Sequence, residues 1–198
     1  MLGAFYESTA ARGLDYGAQF DPLIASLVGG DASMVALVKG LIARESFWNP
    51  GAFRWEARLN EGSVGLMQVL PSTGSGVLGR PLTTSDLFVP DTNLRAGVGY
   101  LLQQIGRYGM RDGISAYNAG RPIVGNQPYV DDVLTYQVWY MNHLPAVTGG
   151  EGIGEPDVWV TVGGGGEAWA LTEETTTWAL GALLLVGAAL LLPRRRAA

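Results

Sequence analysis

One helical run constrains this chain more than any other feature. Residues 31–51 read "DASMVALVKGLIARESFWNPG", a stretch that begins at a suitable N-cap, Asp31, and ends at the stop signal Asn49-Pro50-Gly51. Its apolar residues recur at helical spacing along one stripe: Val35, Val38, Leu41 and Ile42. Glu45 falls on the same stripe. The sequence therefore predicts a helix that carries one carboxylate on its core-facing side.

A carboxylate on an apolar stripe is costly to bury unless it is paired or lies in a cleft. Burial beside Phe47 and Trp48 would raise the pKa of Glu45, because removal from water disfavours the charged form. Cleavage of a glycosidic bond requires such a carboxylic acid, still protonated near neutral pH. A second interpretation stays open from the residues alone, in which Glu45 is a solvated residue at the end of a helix.

Composition excludes several classes of function. The chain has no cysteine and one histidine, His143, which argues against thiolate or histidine metal sites and against a Ser-His-Asp triad. The formal net charge is −5, so a basic nucleic-acid-binding surface is not expected. No potential metal ligands are grouped in the sequence. We therefore predict neither a metal nor a cofactor.

The first 146 residues indicate a mainly α-helical domain. Helices are predicted from Pro90 to a stop at Gly109, over "GISAYNAG" as far as Gly120, and from about Tyr129 onward. The Gly- and Ser-rich segment that contains "SVGLMQVLPSTG" predicts a loop and a short helix. We find no alternating strand pattern before residue 150.

The two ends of the chain differ from this domain, which we place at residues 20–146. Residues 1–19 are an N-terminal extension without the features of an ordinary signal peptide. Residues 147–174 hold six acidic residues, eight glycines and no basic residue, which is typical of a flexible linker. Residues 175–193 carry no charge and would extend about 28 Å as a helix, which predicts a transmembrane segment rather than a buried core helix. The basic tail, residues 194–198, would lie on the cytoplasmic or interior side.

Five short segments follow one another in a recognisable order: "ARESFWNPGA", "GLMQVLPSTG", "DLFVPDTNLRAGVGYLLQQIGRYG", "ISAYNAG" and "PYVDDVLTY". Together they resemble the soluble lytic transglycosylase (SLT) family of the lysozyme-like superfamily, over about 120 residues. The resemblance implies a goose-type lysozyme-like fold. It also implies cleavage of peptidoglycan between N-acetylmuramic acid and N-acetylglucosamine, with formation of a 1,6-anhydro ring.

The resemblance implies a role for each residue that matches a family motif. Glu45 would be the catalytic acid, which protonates the glycosidic oxygen and then, as a carboxylate, removes the proton of the sugar's C6 hydroxyl. Ser46 would form a hydrogen bond near the reaction centre. Gln68 would contact the sugar, and Met67 would help to shape the cleft wall.

Two further motifs imply groups on the opposite side of the cleft. Tyr117 and Asn118 of "AYNAG" would face the acid, with the Tyr117 hydroxyl stabilising the reacting sugar or Glu45. Tyr129 of "PYVDDV" matches a further cleft-lining tyrosine. Both tyrosines are also compatible with ordinary packing in which the hydroxyl is hydrogen-bonded.

One departure from the family pattern keeps a hydrolytic reaction open. Glu45 and Gln68 are 23 residues apart, about five more than is usual, and the additional segment, residues 54–63, contains Glu56 and Glu61. A second carboxylate near the cleft could activate water and make the enzyme a muramidase. Glu56 could instead form an ion pair with an arginine, and we favour that structural or substrate-positioning role.

A function of another class is a non-catalytic, membrane-anchored structural or wall-binding protein on the same scaffold. The intact motif residues argue against it. We expect an enzyme whose partners are peptidoglycan glycan strands and, through the C-terminal helix, a lipid bilayer; nucleic acid is not expected, and the oligomeric state is not predicted. The setting would be a bacterial cell envelope or the virion membrane of a phage, and the missing export signal favours the phage.

Overall fold

Eight α-helices and one hairpin make up the part of the chain that the structure, a computed structural model, describes: the backbone of residues 2–144 and the side chains of residues 7–144. These residues belong to the compact unit Met1–Ala146. The elements are α1 (Leu2–Asp15), α2 (Asp21–Leu27), α3 (Ala32–Ser46), β1 (Phe53–Glu56), β2 (Glu61–Val64), α4 (Pro71–Leu78), α5 (Thr84–Leu87), α6 (Pro90–Tyr108), α7 (Met110–Ala119) and α8 (Gln127–His143), with 3₁₀ helices at Tyr16–Phe20 and Val124–Asn126. The mainly α-helical fold predicted from the sequence is confirmed.

Helix α3 is the centre of the core. Its N-cap is Asp31, as predicted, whose Oδ1 accepts a hydrogen bond from the Met34 amide at 3.0 Å. The helix is buried continuously from Val35 to Ala43. It ends at Ser46, earlier than the Asn49-Pro50-Gly51 stop, because the next two residues adopt left-handed backbone angles. Phe47 has φ 52° and Trp48 has φ 62°.

A buried lysine ties α2 to α3. Lys39 is fully buried and donates a hydrogen bond to Asp21, the first residue of α2. Its ammonium group also lies 5.5 Å from the centre of the Trp48 ring and 5.6 Å from that of Tyr140. Burial lowers the pKa of Lys39, and the bond and charge of Asp21 oppose that effect. The ion pair with Asp21 and the contacts with the two aromatic rings thus stabilise the charge of Lys39 inside the core.

Helices α3 and α8 pack closely. A side chain at Gly40 would place its Cβ 2.8 Å from the carbonyl oxygen of Val133 and 2.9 Å from the amide nitrogen of Gln137. Only a glycine leaves room for the α8 backbone at this point. Gly40 precedes Glu45 in the same helix, so the close packing brings α8 next to the predicted catalytic acid.

The segment 1–19 was predicted to be an extension outside the domain, but side chains within its described part, residues 7–19, contribute to the core. Ala10 and Thr9 of α1 are buried. Gly13 and Gly17 lie against Trp48 so closely that a Cβ at Gly17 would be 2.6 Å from the indole ring. The short side chains of this segment let it cover the ring. The sequence did not predict this, because contacts between α1 and Trp48 join segments that lie far apart in the chain.

The hairpin of β1 and β2 was not predicted. Its register pairs Phe53 with Val64 and Glu56 with Glu61. Each strand has four residues, too few for a periodic signal, and the apolar residues of β1 do not face the core: Phe53 is 51% exposed and Trp55 is 55% exposed. The hairpin occupies the segment that departs from the family spacing.

Within residues 2–144, no helix combines the length and the apolar character needed to cross a bilayer. The predicted linker (147–174), transmembrane segment (175–193) and basic tail (194–198) lie outside the described residues.

Candidate active site

A cavity of about 330 Å³ lies at the C-terminal end of α3. It is lined by residues of α3, the hairpin, the loop before α4, α4 itself, α6 and α7 with the residue after it: Glu45, Arg54, Glu56, Leu59, Ser63, Gln68, Val69, Leu70, Thr73, Tyr100, Tyr117, Asn118, Ala119 and Gly120. Five residues singled out in the sequence therefore meet at one cavity, although they come from four separate segments: Glu45, Glu56, Gln68, Tyr117 and Asn118.

Glu45 occupies the last turn of α3, and its Oε1 accepts a hydrogen bond from the hydroxyl of Tyr129 on α8. Burial raises the pKa of Glu45. The Tyr129 hydrogen bond and the charges of Arg44 and Arg54 oppose this rise, while the charge of Glu56 adds to it. The net effect is a carboxylic acid that keeps its proton to higher pH than an exposed glutamate.

The loop between β2 and α4 carries Gln68 and is fixed by a buried side chain that the sequence analysis did not single out. Asn93 of α6 donates from Nδ2 to the carbonyl oxygens of Val64 at 2.7 Å and Leu87 at 2.9 Å. Its Oδ1 accepts from the amide of Met67 at 2.9 Å. The sequence signal for this role is a polar asparagine on the apolar side of the predicted helix from Pro90 to Gly109, because a buried amide is expected to be hydrogen-bonded.

Gln68 has a left-handed backbone, with φ 48°. Its Nε2 donates to the carbonyl oxygens of Gly65 at 3.0 Å and Ala52 at 3.2 Å. Both donors of the amide are thus directed to the backbone, which leaves the side-chain carbonyl oxygen to accept hydrogen bonds in the cavity.

Tyr117 lines the cavity, but its hydroxyl does not bond to Glu45. It donates to the carbonyl oxygen of Met67 at 2.7 Å and thereby joins α7 to the loop that carries Gln68. Burial, followed by the nearby charge of Glu45, raises the pKa of Tyr117 well above its ordinary value. Tyr129, rather than Tyr117, donates a hydrogen bond to Glu45. The contact with Glu45 that the resemblance implied for the Tyr117 hydroxyl is therefore made by Tyr129.

Glu56 faces the cavity from β1 within a small polar network. Its Oε1 accepts from Arg54 Nε at 2.7 Å and from Ser63 Oγ at 2.8 Å. The bond from Ser63 and then that from Arg54 lower the pKa of Glu56. The cavity therefore holds two carboxyl groups whose pKa values are shifted in opposite directions, that of Glu45 upward and that of Glu56 downward.

Two residues assigned to the site by resemblance lie elsewhere. The Ser46 hydroxyl donates to the carbonyl oxygen of Ile42 one turn earlier in α3, and the side chain does not line the cavity. Met67 is fully buried in the core, packed under Gly97 of α6, and does not form the cleft wall. It takes part through its backbone, whose amide and carbonyl groups anchor the loop.

The aromatic pair behind Glu45 does not shield it, contrary to the sequence prediction. The indole of Trp48 packs in the core and donates from Nε1 to the Tyr140 hydroxyl at 2.9 Å. Phe47 is 42% exposed and lines a different pocket together with Arg12 of α1. Helical spacing could not predict this, because both residues leave the helix in left-handed conformations. The raised pKa of Glu45 arises from burial of the carboxyl group, against which the hydrogen bond from Tyr129 on α8 acts.

Among the residues that the structure describes, no group of three or more His, Cys, Asp or Glu side chains is placed to hold a metal ion. The chemistry that this arrangement offers is proton transfer by Glu45, with fixed amide and hydroxyl groups around it.

Comparisons with known proteins agree with this geometry. Residues 24–131 match the family described as "Transglycosylase SLT domain". Among solved structures, the lytic transglycosylase Slt from Pseudomonas aeruginosa, studied as an inactive mutant in which a glutamate is replaced by glutamine, is similar at 27% identity with a TM-score of 0.52. The match covers 63% of this chain and 24% of that one, so the chain corresponds to about a quarter of that protein. The family match spans more than half of the chain, and the chain therefore belongs to the SLT transglycosylase domain family.

Proposed function

We propose that this chain is a peptidoglycan lytic transglycosylase, which cleaves the β-1,4 bond between N-acetylmuramic acid and N-acetylglucosamine. The observation that carries the proposal is the position of Glu45, whose raised pKa and placement on a cavity with Gln68, Tyr117 and Asn118 suit a proton donor. Membership of the SLT family and the similarity to the Slt enzyme support the same activity.

Glu45 acts first as the acid. Its carboxyl group gives a proton to the glycosidic oxygen, the bond between that oxygen and C1 of the muramic acid breaks, and the electron pair leaves with the N-acetylglucosamine. Because Tyr129 occupies Oε1, the other oxygen of Glu45, Oε2, carries the proton toward the cavity. Positive charge then develops at C1.

The resulting carboxylate acts next as the base. It removes the proton of the C6 hydroxyl of the same muramic acid, and O6 forms the bond to C1 that closes the 1,6-anhydro ring. Glu45 ends the cycle protonated and no water is consumed. Burial favours this return to the neutral form for the same reason that it raises the pKa.

Neighbouring groups would orient the glycan. The side-chain oxygen of Gln68 can accept a hydrogen bond from a sugar hydroxyl or an N-acetyl amide, and the exposed Asn118 offers both a donor and an acceptor. Tyr100 and Leu59 add apolar surface on the same cavity, suited to the C–H faces of a sugar ring.

Hydrolysis is the second candidate, because Glu56 lines the same cavity. In a muramidase this carboxylate would deprotonate a water molecule. Its Oε1 already accepts hydrogen bonds from Arg54 and Ser63, and its lowered pKa makes it a weaker base. These contacts favour a role in holding the hairpin and Arg54 beside the substrate.

Mass spectrometry of the muropeptides released from purified sacculi separates the candidates. A transglycosylase leaves anhydro-muramic ends, whereas a muramidase leaves reducing ends that are heavier by one water. Release of reducing ends alone would reject the transglycosylase. Binding to sacculi without release of either product would support the non-catalytic alternative.

We also propose that residues 175–193 anchor the domain to a membrane that faces the wall, in a bacterial envelope or a phage virion. The support is the uncharged length of this segment and the three arginines that follow it. Membranes sedimented after expression should retain the full chain and lose a variant that ends at residue 174. Recovery of the full chain in the supernatant would reject the anchor.

A further inference from the structure

Arg44 of α3 and Asp132 of α8 lie beside the contact between Glu45 and Tyr129. Arg44 donates from Nε to Oδ2 of Asp132 at 2.9 Å. Its guanidinium carbon is 5.3 Å from the centre of the Tyr129 ring, a distance at which a cation is attracted to an aromatic face. The hydroxyl of the same ring donates to Glu45. Tyr129 is therefore held at its face and at its hydroxyl by two consecutive residues of α3.

The helix geometry accounts for this arrangement. Consecutive α3 residues leave the helix about 100° apart, so Arg44 and Glu45 reach α8 from two directions. Tyr129 and Asp132 are three residues apart and lie on one face of α8. The guanidinium group can therefore contact the Tyr129 ring and the Asp132 carboxylate at once, while Glu45 meets the hydroxyl.

We propose that Arg44 is a positioning residue for Glu45 that acts through Tyr129. Together with Asp132 it holds the phenol ring against α3, so that the hydroxyl stays on Oε1 and Oε2 faces the cavity. The inference rests on the proposed function, because it concerns the orientation of the proton donor. A lysine at position 44 would keep the charge but lose the flat guanidinium that can stack and donate simultaneously.

Charged and titratable groups face Glu45 from four elements: Arg44 on α3, Arg54 and Glu56 on β1, Tyr117 on α7 and Tyr129 on α8. The hydrogen bond from Tyr129 and the charge of Arg44 both lower the pKa of Glu45, against the larger effect of burial. Loss of Arg44 removes its positive charge from the surroundings of Glu45. It also weakens the hydrogen bond from Tyr129, because the ring is no longer held in place. Both changes raise the pKa of Glu45.

An ion pair with a purely structural role would behave differently. The side chains of Arg44 and Asp132 are 39% and 34% exposed, and a pair this accessible to water contributes little to stability. Its loss would lower the free energy of unfolding slightly. The turnover of the folded molecules would not change, and the pKa of Glu45 would rise only through loss of the Arg44 charge, which Arg44→Lys retains.

The test compares the full chain in detergent micelles as wild type, Arg44→Gln and Arg44→Lys. Arg95→Gln is the matched control, because Arg95 forms an exposed ion pair with Asp91 on α6 and does not line the cavity. Carbon-13 NMR of carboxyl-labelled glutamate follows Glu45 against pH, its resonance identified by its absence in Glu45→Gln. The kcat and KM for muropeptide release are measured on the same samples.

In Arg44→Gln we expect a higher pKa for Glu45, a kcat roughly tenfold lower and little change in KM. Arg44→Lys should lie between this variant and the wild type, and Arg95→Gln should match the wild type. An Arg44→Gln protein that folds but titrates and turns over like Arg95→Gln overturns the proposal. Should Arg44→Gln fail to fold, Arg44→Lys and Asp132→Asn carry the same comparison. The titration needs no turnover, so a wild type without activity rejects the proposed function while the titration still decides the role of Arg44.

Discussion

Tyr129 donates its hydroxyl hydrogen to Oε1 of Glu45, and 84 residues separate the two in the chain. The bond favours the charged form of Glu45, whereas burial favours the neutral form and has the larger effect. The hydrogen bond from α8 thus orients the carboxyl group, and burial raises its pKa. Both properties are needed in a proton donor to a glycosidic oxygen.

Replacement of Tyr129 by phenylalanine tests the orientation. The variant loses the hydrogen bond that lowers the pKa of Glu45, so the pKa rises and the alkaline limb of the pH–activity profile moves to higher pH. We expect kcat to fall about 10- to 100-fold, because the carboxyl group is no longer fixed. The profile is measured by muropeptide release across the pH range.

Tyr140→Phe is the control for this change. Tyr140 is also a buried tyrosine of α8, but its hydroxyl accepts from Trp48 Nε1 rather than contacting Glu45. Its loss should cost about 1–3 kcal/mol of stability by leaving a buried donor unpaired, without moving the pH profile. Equal shifts of the profile in both variants would contradict a specific role for Tyr129.

The raised pKa of Glu45 predicts how stability depends on pH. The folded protein holds this proton more tightly than the unfolded chain, so the contribution of Glu45 is fully present below the unfolded pKa and is lost as pH rises through the folded pKa. Glu45→Gln has no proton to lose and should gain stability relative to the wild type across that window. Urea unfolding of both proteins at acidic and at mildly alkaline pH measures the difference. A difference independent of pH would show that the folded pKa is not raised.

Two glycines of α6 provide a matched pair for the packing beneath the Gln68 loop. A Cβ at Gly97 would lie 2.7 Å from the Cβ of Met67, whose carbonyl oxygen anchors Tyr117, whereas a Cβ at Gly106 would meet nothing within 4 Å. We expect Gly97→Ala to destabilise by about 1–3 kcal/mol and to reduce activity. Gly106→Ala should instead stabilise by about 0.5–1 kcal/mol. Thermal unfolding of the two variants measures both effects, and equal shifts in Tm would argue against the close contact with Met67.

Glu56→Gln distinguishes a positioning role from a catalytic one. The glutamine retains an oxygen that can accept from Arg54 and Ser63, so we expect anhydro products and a loss of rate of no more than about tenfold. Glu61→Gln is the control, since Glu61 pairs with Glu56 in the hairpin and accepts from the Ser72 amide. A fall of about 100-fold or more in Glu56→Gln alone would assign catalysis to Glu56.

The sequence predicted the parts of the fold that carry a strong periodic signal with clear ends. Helix α3 begins after its Asp31 cap, α6 ends before Gly109 and α7 ends before Gly120, as expected. The order of the motifs also predicted which segments approach one another: Glu45, Gln68 and Tyr117 line the same cavity.

Features set by single backbone angles or by distant packing could not be predicted. Phe47 and Trp48 reverse the chain in left-handed conformations, so the helical pattern before them says nothing about where their side chains lie. Asn93 and Tyr129 act through hydrogen bonds to segments far away in the sequence. The hairpin escaped prediction because its strands are short and the apolar residues of β1, Phe53 and Trp55, are exposed and carry no core-facing pattern.

The most direct test of the central claim is the rate at which Glu45→Gln releases muropeptides from purified sacculi. This change keeps the size of the side chain and removes its proton, and Glu7→Gln, an exposed position on α1, is the control. We predict that Glu45→Gln is slower than the wild type by two orders of magnitude or more, with anhydro products lost, and that Glu7→Gln is unchanged. Release of the same products by Glu45→Gln at the wild-type rate would contradict the assignment of Glu45 as the catalytic acid.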